Sequence, residues 1–139
     1  MYSFVDIESK FNPECKKFNE DNDCTIVAFS LFLNLPYGEV RNLMMEKVDK
    51  KPRRGINILQ FDDFSKQMGH GCTIPFLDKK PTINQFCKQH PVGEFIILVS
   101  GHAIYVKDGV VHDHTDGFKR KVKYYLEKEI KDELDKYWW

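Results

Sequence analysis

The sequence has no dominant sign of charge. Lys and Arg number 21, as do Asp and Glu, so the formal net charge is +0 at pH 7. Without a basic excess, nucleic acid is not an expected partner. It also has no apolar run approaching the ~20 residues that span a bilayer, and the N-terminal MYSFVDIESKF shows no basic region leading into an apolar stretch and cleavage site. Neither a membrane span nor a signal peptide is expected. There is no C-x-x-C pair: Cys15, Cys24, Cys72 and Cys87 are scattered. With no secretory signal, four reduced thiols are expected rather than two disulfides. Repeats and low-complexity linkers are missing too. These absences leave a protein of the cytoplasm. Its 139 residues, 42 % apolar and 14 % aromatic, are enough for one domain with its own core and too apolar for disorder.

What the sequence does contain is organised as helices followed by strands. Residues 1–20 read as an irregular lead-in with some helical tendency. The run from Thr25 to Leu35 has no polar face and predicts a helix buried on all sides, with Asn22 or Asp23 capping its start. YGEVRNLMMEKV predicts a second helix with Val40, Leu43, Met44 and Val48 inward. A third begins at about Asn57, its N-cap, runs through Leu59, Phe61 and Phe64 and ends at Gly69. CTIPF is a short strand candidate. Thr82 and Gln85 have capping-box spacing for a fourth, short helix stopped by Pro91. Residues 95–99, 102–106 and 110–114 then read as strands, with Asp108-Gly109 as a two-residue hairpin turn. From Phe118 to Trp139, Val122, Leu126, Ile130 and Leu134 recur every four residues and predict a C-terminal amphipathic helix. The expected class is α+β.

The hairpin fixes a geometry. A turn at Asp108-Gly109 places Lys107 opposite Val110, Val106 opposite Val111 and Tyr105 opposite His112. Paired residues share a face and faces alternate. His102, Ile104, Val106, Val111 and Asp113 therefore share one face, expected to be the core side, while Ala103, Tyr105, Lys107, His112 and His114 share the other. His102 and Asp113 are diagonal neighbours, about 7–8 Å apart along the backbone and closer at the side chains. A carboxylate at that distance can orient an imidazole. His112 and His114 point away, so HDH is not a chelating unit.

Taken alone, Cys24 is either a small core residue or a nucleophile at a helix tip. A helix N-terminus and an adjacent imidazolium both favour a thiolate, and the outward N–H groups there can hold an oxyanion. Cys24, His102 and Asp113 then have the chemistry of nucleophile, general base/acid and orienting group.

NDCTIVAFSLFLNLPYGEV followed by SGHAIYVKDGVVHDH resembles the papain-like cysteine peptidase superfamily. Within it, the chain looks most like the double-glycine leader peptidases and small single-domain relatives of phages and bacteria. The resemblance covers about residues 20–116. It implies a papain-like fold, with the Cys-bearing helix packed on a small C-terminal antiparallel sheet and the 118–139 helix additional. It further implies a thiol hydrolase of amide, peptide or isopeptide bonds with Cys24, His102 and Asp113 in those three roles, a protein or peptide substrate, and no metal or organic cofactor. The family's oxyanion glutamine, about six residues before the cysteine, is replaced here by Phe18; Asn22 and Asn19 are the nearby amides.

Two alternatives stand beside the hydrolase. One is a non-catalytic phage-type binding protein on the same fold that engages a host protein. The other is a thiol deamidase or acyl transferase. Candidate partner contacts are Lys51, Arg53 and Arg54 in the basic DKKPRRG loop, and Trp138 and Trp139, an adjacent pair costly to leave in water. Lys50 reads as part of the same solvated turn. Cys15, Cys72 and Cys87 read as packing residues, Cys87 on the inner stripe of its helix with Ile83 and Phe86. A zinc site from His70, Cys72, Cys87 and His90 lacks paired ligand spacing.

Overall fold

The structure is a computed structural model that describes residues 3–18, 20, 22–70, 72–73, 80–113 and 119–128. Helices and strands are both present, as expected for α+β. The elements run β1 (Ser3–Asp6), α1 (Glu8–Phe18), α2 (Cys24–Leu33), α3 (Tyr37–Lys47), α4 (Ile58–Gln67), β2 (Cys72–Thr73), α5 (Ile83–Gln89), β3 (Glu94–Val99), β4 (His102–Lys107), β5 (Val110–Asp113) and β6 (Tyr124–Glu127). The strands form one sheet in the order β1-β5-β4-β3-β6-β2. Among the described residues, only the β1–β5 pairing is parallel. No described helix is long and apolar enough to cross a membrane.

Local sequence explains most of the helices. Asn57 and Gln60 form a full capping box at the start of α4, as do Thr82 and Gln85 at the start of α5. Gly69 follows α4 at φ 89°, where a side chain would be strained. Of the apolar residues along α4, Leu59 is 78 % exposed. The buried stripe is Phe61, Phe64 and Ser65, an i, i+3, i+4 set, and Leu59 stands about 200° around the helix from Phe61.

The β4–β5 register matches the expected one: Lys107 pairs with Val110, Val106 with Val111 and Tyr105 with His112. Asp108 and Gly109 have φ of 50° and 74°, the two positive values of a type I′ turn. A Cβ at Gly109 would also lie 3.3 Å from the Cys87 carbonyl oxygen. Gly109→Ala is therefore expected to destabilise the protein by about 1–2 kcal/mol, measurable as a lower urea midpoint with an unchanged slope.

Both faces of the sheet are covered, which corrects the expectation of a single core side. Ile96, Ala103, Tyr105 and Leu126 pack on one face with Ile26, Phe29 and Phe32 of α2 and with Phe61 and Phe64 of α4. Ile97, Ile104, Val106 and Val111 pack on the other with Ile83, Phe86 and Cys87 of α5. Ala103 and Tyr105, expected outside, are 4 % exposed each because α2 lies over them.

Two segments depart from the sequence reading. The lead-in is β1 and α1, not irregular. The C-terminal helix is overturned at Tyr124–Glu127, which form β6. Its four-residue periodicity loses to a vacancy in the sheet: β6 fills the slot between β3 and β2. Leu126 enters one core and Tyr125 packs on the other, an alternation a helix does not give. Residues 129–139, including Trp138 and Trp139, lie outside the described residues, as do His114 and positions 74–76 of the CTIPF strand.

Candidate active site

The apolar run after Cys24 makes α2 a helix buried along its length, with Ile26, Phe29 and Phe32 each 0 % exposed. Its depth anchors its first residue: Cys24 is half-buried at the N-terminal tip, beside β4. His102 opens β4 and Asp113 closes β5, so both sit at one end of the same hairpin. The His102 Nε2–H donates to both carboxylate oxygens of Asp113, at 2.9 Å and 2.8 Å. Cys24 is near enough to His102 to help raise its pKa. With Nε2 committed to the carboxylate, Nδ1 is the ring nitrogen left for the sulfur. Cys24 from α2 and the His102–Asp113 pair from one hairpin thus lie at the same cleft.

The electrostatics follow from that contact. Burial opposes charge on the imidazole, but hydrogen bonding to Asp113 and to Cys24 and their negative charges outweigh it. The His102 pKa is raised from 6.5 to about 9. Near neutral pH the ring therefore carries its second proton. Its side chain is 12 % exposed and that of Asp113 5 %, so water screens the pair weakly.

The Asp113 backbone is braced from the side the sequence reading passed over. β1 runs parallel to β5 with Asp6 beside Asp113, and the Ile7 N–H donates to the Asp113 carbonyl at 3.1 Å. The signal available in the sequence was the cluster of Phe4, Val5 and Ile7.

The capping expectation at α2 is half right. Asp23 is the N-cap residue, but its side chain makes no cap hydrogen bond. Its carboxylate accepts from the Tyr37 hydroxyl at 2.9 Å. Burial, and then Asp23, push the Tyr37 pKa up, so this hydroxyl stays a donor. The first backbone N–H groups of α2 have no intrahelical acceptor, and Asp23 leaves them uncapped beside the sulfur. The neighbouring Thr25 hydroxyl is buried and has no hydrogen-bond partner among the described residues.

These groups open onto a cleft of about 610 Å³ lined by residues 22–25, 55–58, 61, 98–103 and 123–124. Asn22 lines the cleft, but its Nδ2 donates to the Arg53 carbonyl at 3.3 Å. That bond tethers the basic loop to the segment before Cys24. Asn19 lies outside the described residues.

The basic loop itself divides. Lys51, Arg53 and Arg54 are exposed, with Lys51 paired to Asp49 at 2.8 Å. Lys50 is 2 % exposed, which corrects its reading as part of a solvated turn. Its ammonium lies 3.0 Å from both oxygens of Glu20, whose carboxylate also accepts from Arg41 Nε at 2.8 Å and from the Arg53 N–H at 3.0 Å. Burial works against the Glu20 charge, yet Arg41, Lys50 and the Arg53 N–H hold its pKa below the usual value. Sequence reasoning missed this cluster because its members are 21 and 30 residues apart.

Cys15 and Cys87 stay apart from the cleft. Cys87 is buried on the inner face of α5 with its pKa pushed up by burial to about 11, and the Cys15 thiol donates to the Glu20 carbonyl at 2.6 Å. Of the remaining zinc candidates, His90 stacks on Phe86 and His70 meets the edge of Phe32. Compared with protein-family models, with curated proteins and with solved structures, the chain gives no match.

Proposed function

We propose that the chain is a papain-like thiol hydrolase that cleaves an amide, peptide or isopeptide bond through a thioester. The observation that carries this reading is the His102 ring, bonded to both Asp113 oxygens and lining the same cleft as Cys24. The order of the parts adds support. A cysteine starts a buried helix, and a histidine and an acidic residue open and close a hairpin beneath it, as in the leader-peptidase relatives that the sequence resembles.

The chemistry follows from the charges. His102 already holds the second proton as an imidazolium, and Cys24 Sγ, as its thiolate partner, attacks the carbonyl carbon. Uncapped N–H groups at the start of α2 stabilise the oxyanion. As the C–N bond breaks, His102 gives its proton to the leaving amine. Neutral His102 then takes a proton from water, whose oxygen attacks the thioester; the acid departs and the thiolate–imidazolium pair is restored. Asp113 holds the ring and its positive charge throughout. A deamidase or acyl transferase shares the same thioester and differs only in the amine lost or the acceptor gained.

One observation favours the non-catalytic rival: Asn22, the nearest described amide to the expected oxyanion position, is turned to the Arg53 carbonyl. On that reading the cleft and basic loop would hold a host protein without cleaving it.

The test is limited alkylation with iodoacetamide, read by intact mass across pH. Cys24 is expected to react at least ~10-fold faster at pH 7 than Cys15 or Cys87, and the fast phase should vanish in Cys24→Ala. If Cys24 reacts no faster than the others, the hydrolase reading fails and the binding protein takes its place.

A further inference from the structure

The charges missing from the chain's net total are segregated around the cleft. One side is lined by Gly55–Ile58, and exposed Lys51, Arg53 and Arg54 stand just before it in the chain, outside the lining itself. The opposite wall ends in Lys123 and Tyr124, reached through exposed Lys119, Arg120 and Lys121. The Arg120 guanidinium donates to the Ser100 carbonyl, in the β3–β4 turn that also lines the cleft. A cation is thereby fixed at the rim above His102. Among the described lining residues the one acid is Asp23, whose carboxylate accepts from Tyr37. The Asp49 partner of Lys51 is 82 % exposed and neutralises little of that wall. Exposed acids such as Glu39, Glu46 and Asp63 sit on α3 and α4. Between the basic walls the cleft offers apolar surface from Ile56, Ile58, Phe61, Leu98 and Tyr124.

We infer that the cleft selects a peptide segment with an apolar residue at its centre and acidic residues on both flanks. This inference rests on the hydrolase reading for its chemistry, but not for its recognition. Two walls of one sign around an apolar floor focus the potential inward and raise the local concentration of anionic segments. The apolar floor supplies burial for the central side chain. A polyphosphate chain would satisfy the walls and leave the floor unused, which is why an acidic peptide fits better than nucleic acid.

The experiment uses the full-length Cys24→Ala protein, which cannot turn over a substrate. Three short fluorescein-labelled peptides share a central leucine and carry glutamate, glutamine or lysine flanks. Binding is followed by anisotropy at about 50 and 200 mM salt. The glutamate peptide is expected to bind roughly tenfold tighter than the glutamine peptide at low salt, to lose most of that advantage at high salt, and to leave the lysine peptide behind. The variants Arg53→Glu with Arg54→Glu, and Arg120→Glu with Lys123→Glu, should each remove most of the preference. Arg54→Gln, a milder change at a fully exposed site, should reduce it with the fold intact. In the wild-type protein the glutamate peptide should protect Cys24 from iodoacetamide. Equal binding of glutamate and glutamine peptides, binding that leaves Cys24 unprotected, or equally tight binding of oligothymidylate would each overturn the inference. Should Cys24 prove unactivated while the glutamate peptide still binds and shields it, recognition stands and hydrolysis alone falls.

Discussion

Replacing His102 with alanine is expected to lower hydrolysis of any amide or activated ester the protein cleaves by roughly 10²–10⁴-fold, the usual contribution of a positioned acid–base group. Alkylation of Cys24 at pH 7 should slow by about tenfold or more in the same variant, since a thiol without a basic partner is only a few per cent ionised there. The pH profile supplies an independent check. His102 has a pKa of about 9 because Asp113 and Cys24 overcome its burial, so the alkaline limb of hydrolysis should fall near pH 9, where the leaving amine loses its proton donor. Asp113→Asn removes one of the two negative partners and should move that limb to lower pH. Stability changes in the same window. The folded pKa lies above the ordinary 6.5, so the native state binds the extra proton between these values. The stabilisation is complete below about pH 6.5 and disappears as pH rises through 9, amounting to roughly 3 kcal/mol at most. Urea unfolding of the wild type at pH 6 and pH 10 should show this loss, and His102→Ala should show far less of it. A wild-type profile indifferent to His102 would remove the triad.

Glu20→Gln is expected to cost about 3–5 kcal/mol, the scale for leaving a buried partner charge uncompensated. The carboxylate and the Lys50 ammonium are both 0 % exposed at the side chain, and Arg41 joins them at 15 %. For a chain of this length the loss corresponds to a melting temperature lower by about 10–20 °C. The double change Glu20→Leu with Lys50→Met should recover much of it, because two apolar side chains leave no stranded charge. Acid should act in the same sense as Glu20→Gln. The Glu20 pKa lies below its ordinary 4.5, so its contribution is present above that value and is lost as pH falls through the folded-state pKa. Additive losses in Glu20→Gln and Lys50→Met would show that the pair is not coupled. The cluster also has a bearing on the site, since the Arg53 N–H that Glu20 holds belongs to the loop tethered by Asn22.

The contrast between the triad and this cluster shows what a sequence discloses. His102 and Asp113 were legible because a two-residue turn fixes register and register fixes neighbours. Cys24 was legible because an apolar run behind polar starters marks a helix tip. The capping boxes at Asn57 and Thr82 were local and therefore readable. Glu20, Lys50 and Arg41 meet only through the fold, and nothing in a basic loop announces that one of its lysines is buried. Tyr37 reached Asp23 in the same way, diverting a carboxylate that local rules assign to the helix end. The misread at Tyr124–Glu127 has the opposite cause. The four-residue spacing of Val122 and Leu126 suits a helix, yet the two pack in opposite cores, and within β6 Tyr125 and Leu126 alternate between them. When both faces of a sheet are covered, periodicity alone stops discriminating.

His102 and Asp113 lie only 11 residues apart on one hairpin, whereas the sulfur they act on is delivered by a helix from the other half of the chain. The imidazole–carboxylate pair can therefore form early, as a local structure with a short loop to close, while the thiol gains its partner only when α2 has seated on the sheet. Under the proposed mechanism, activation of the thiol would therefore depend on the docking of α2 against β4 and not on the hairpin alone.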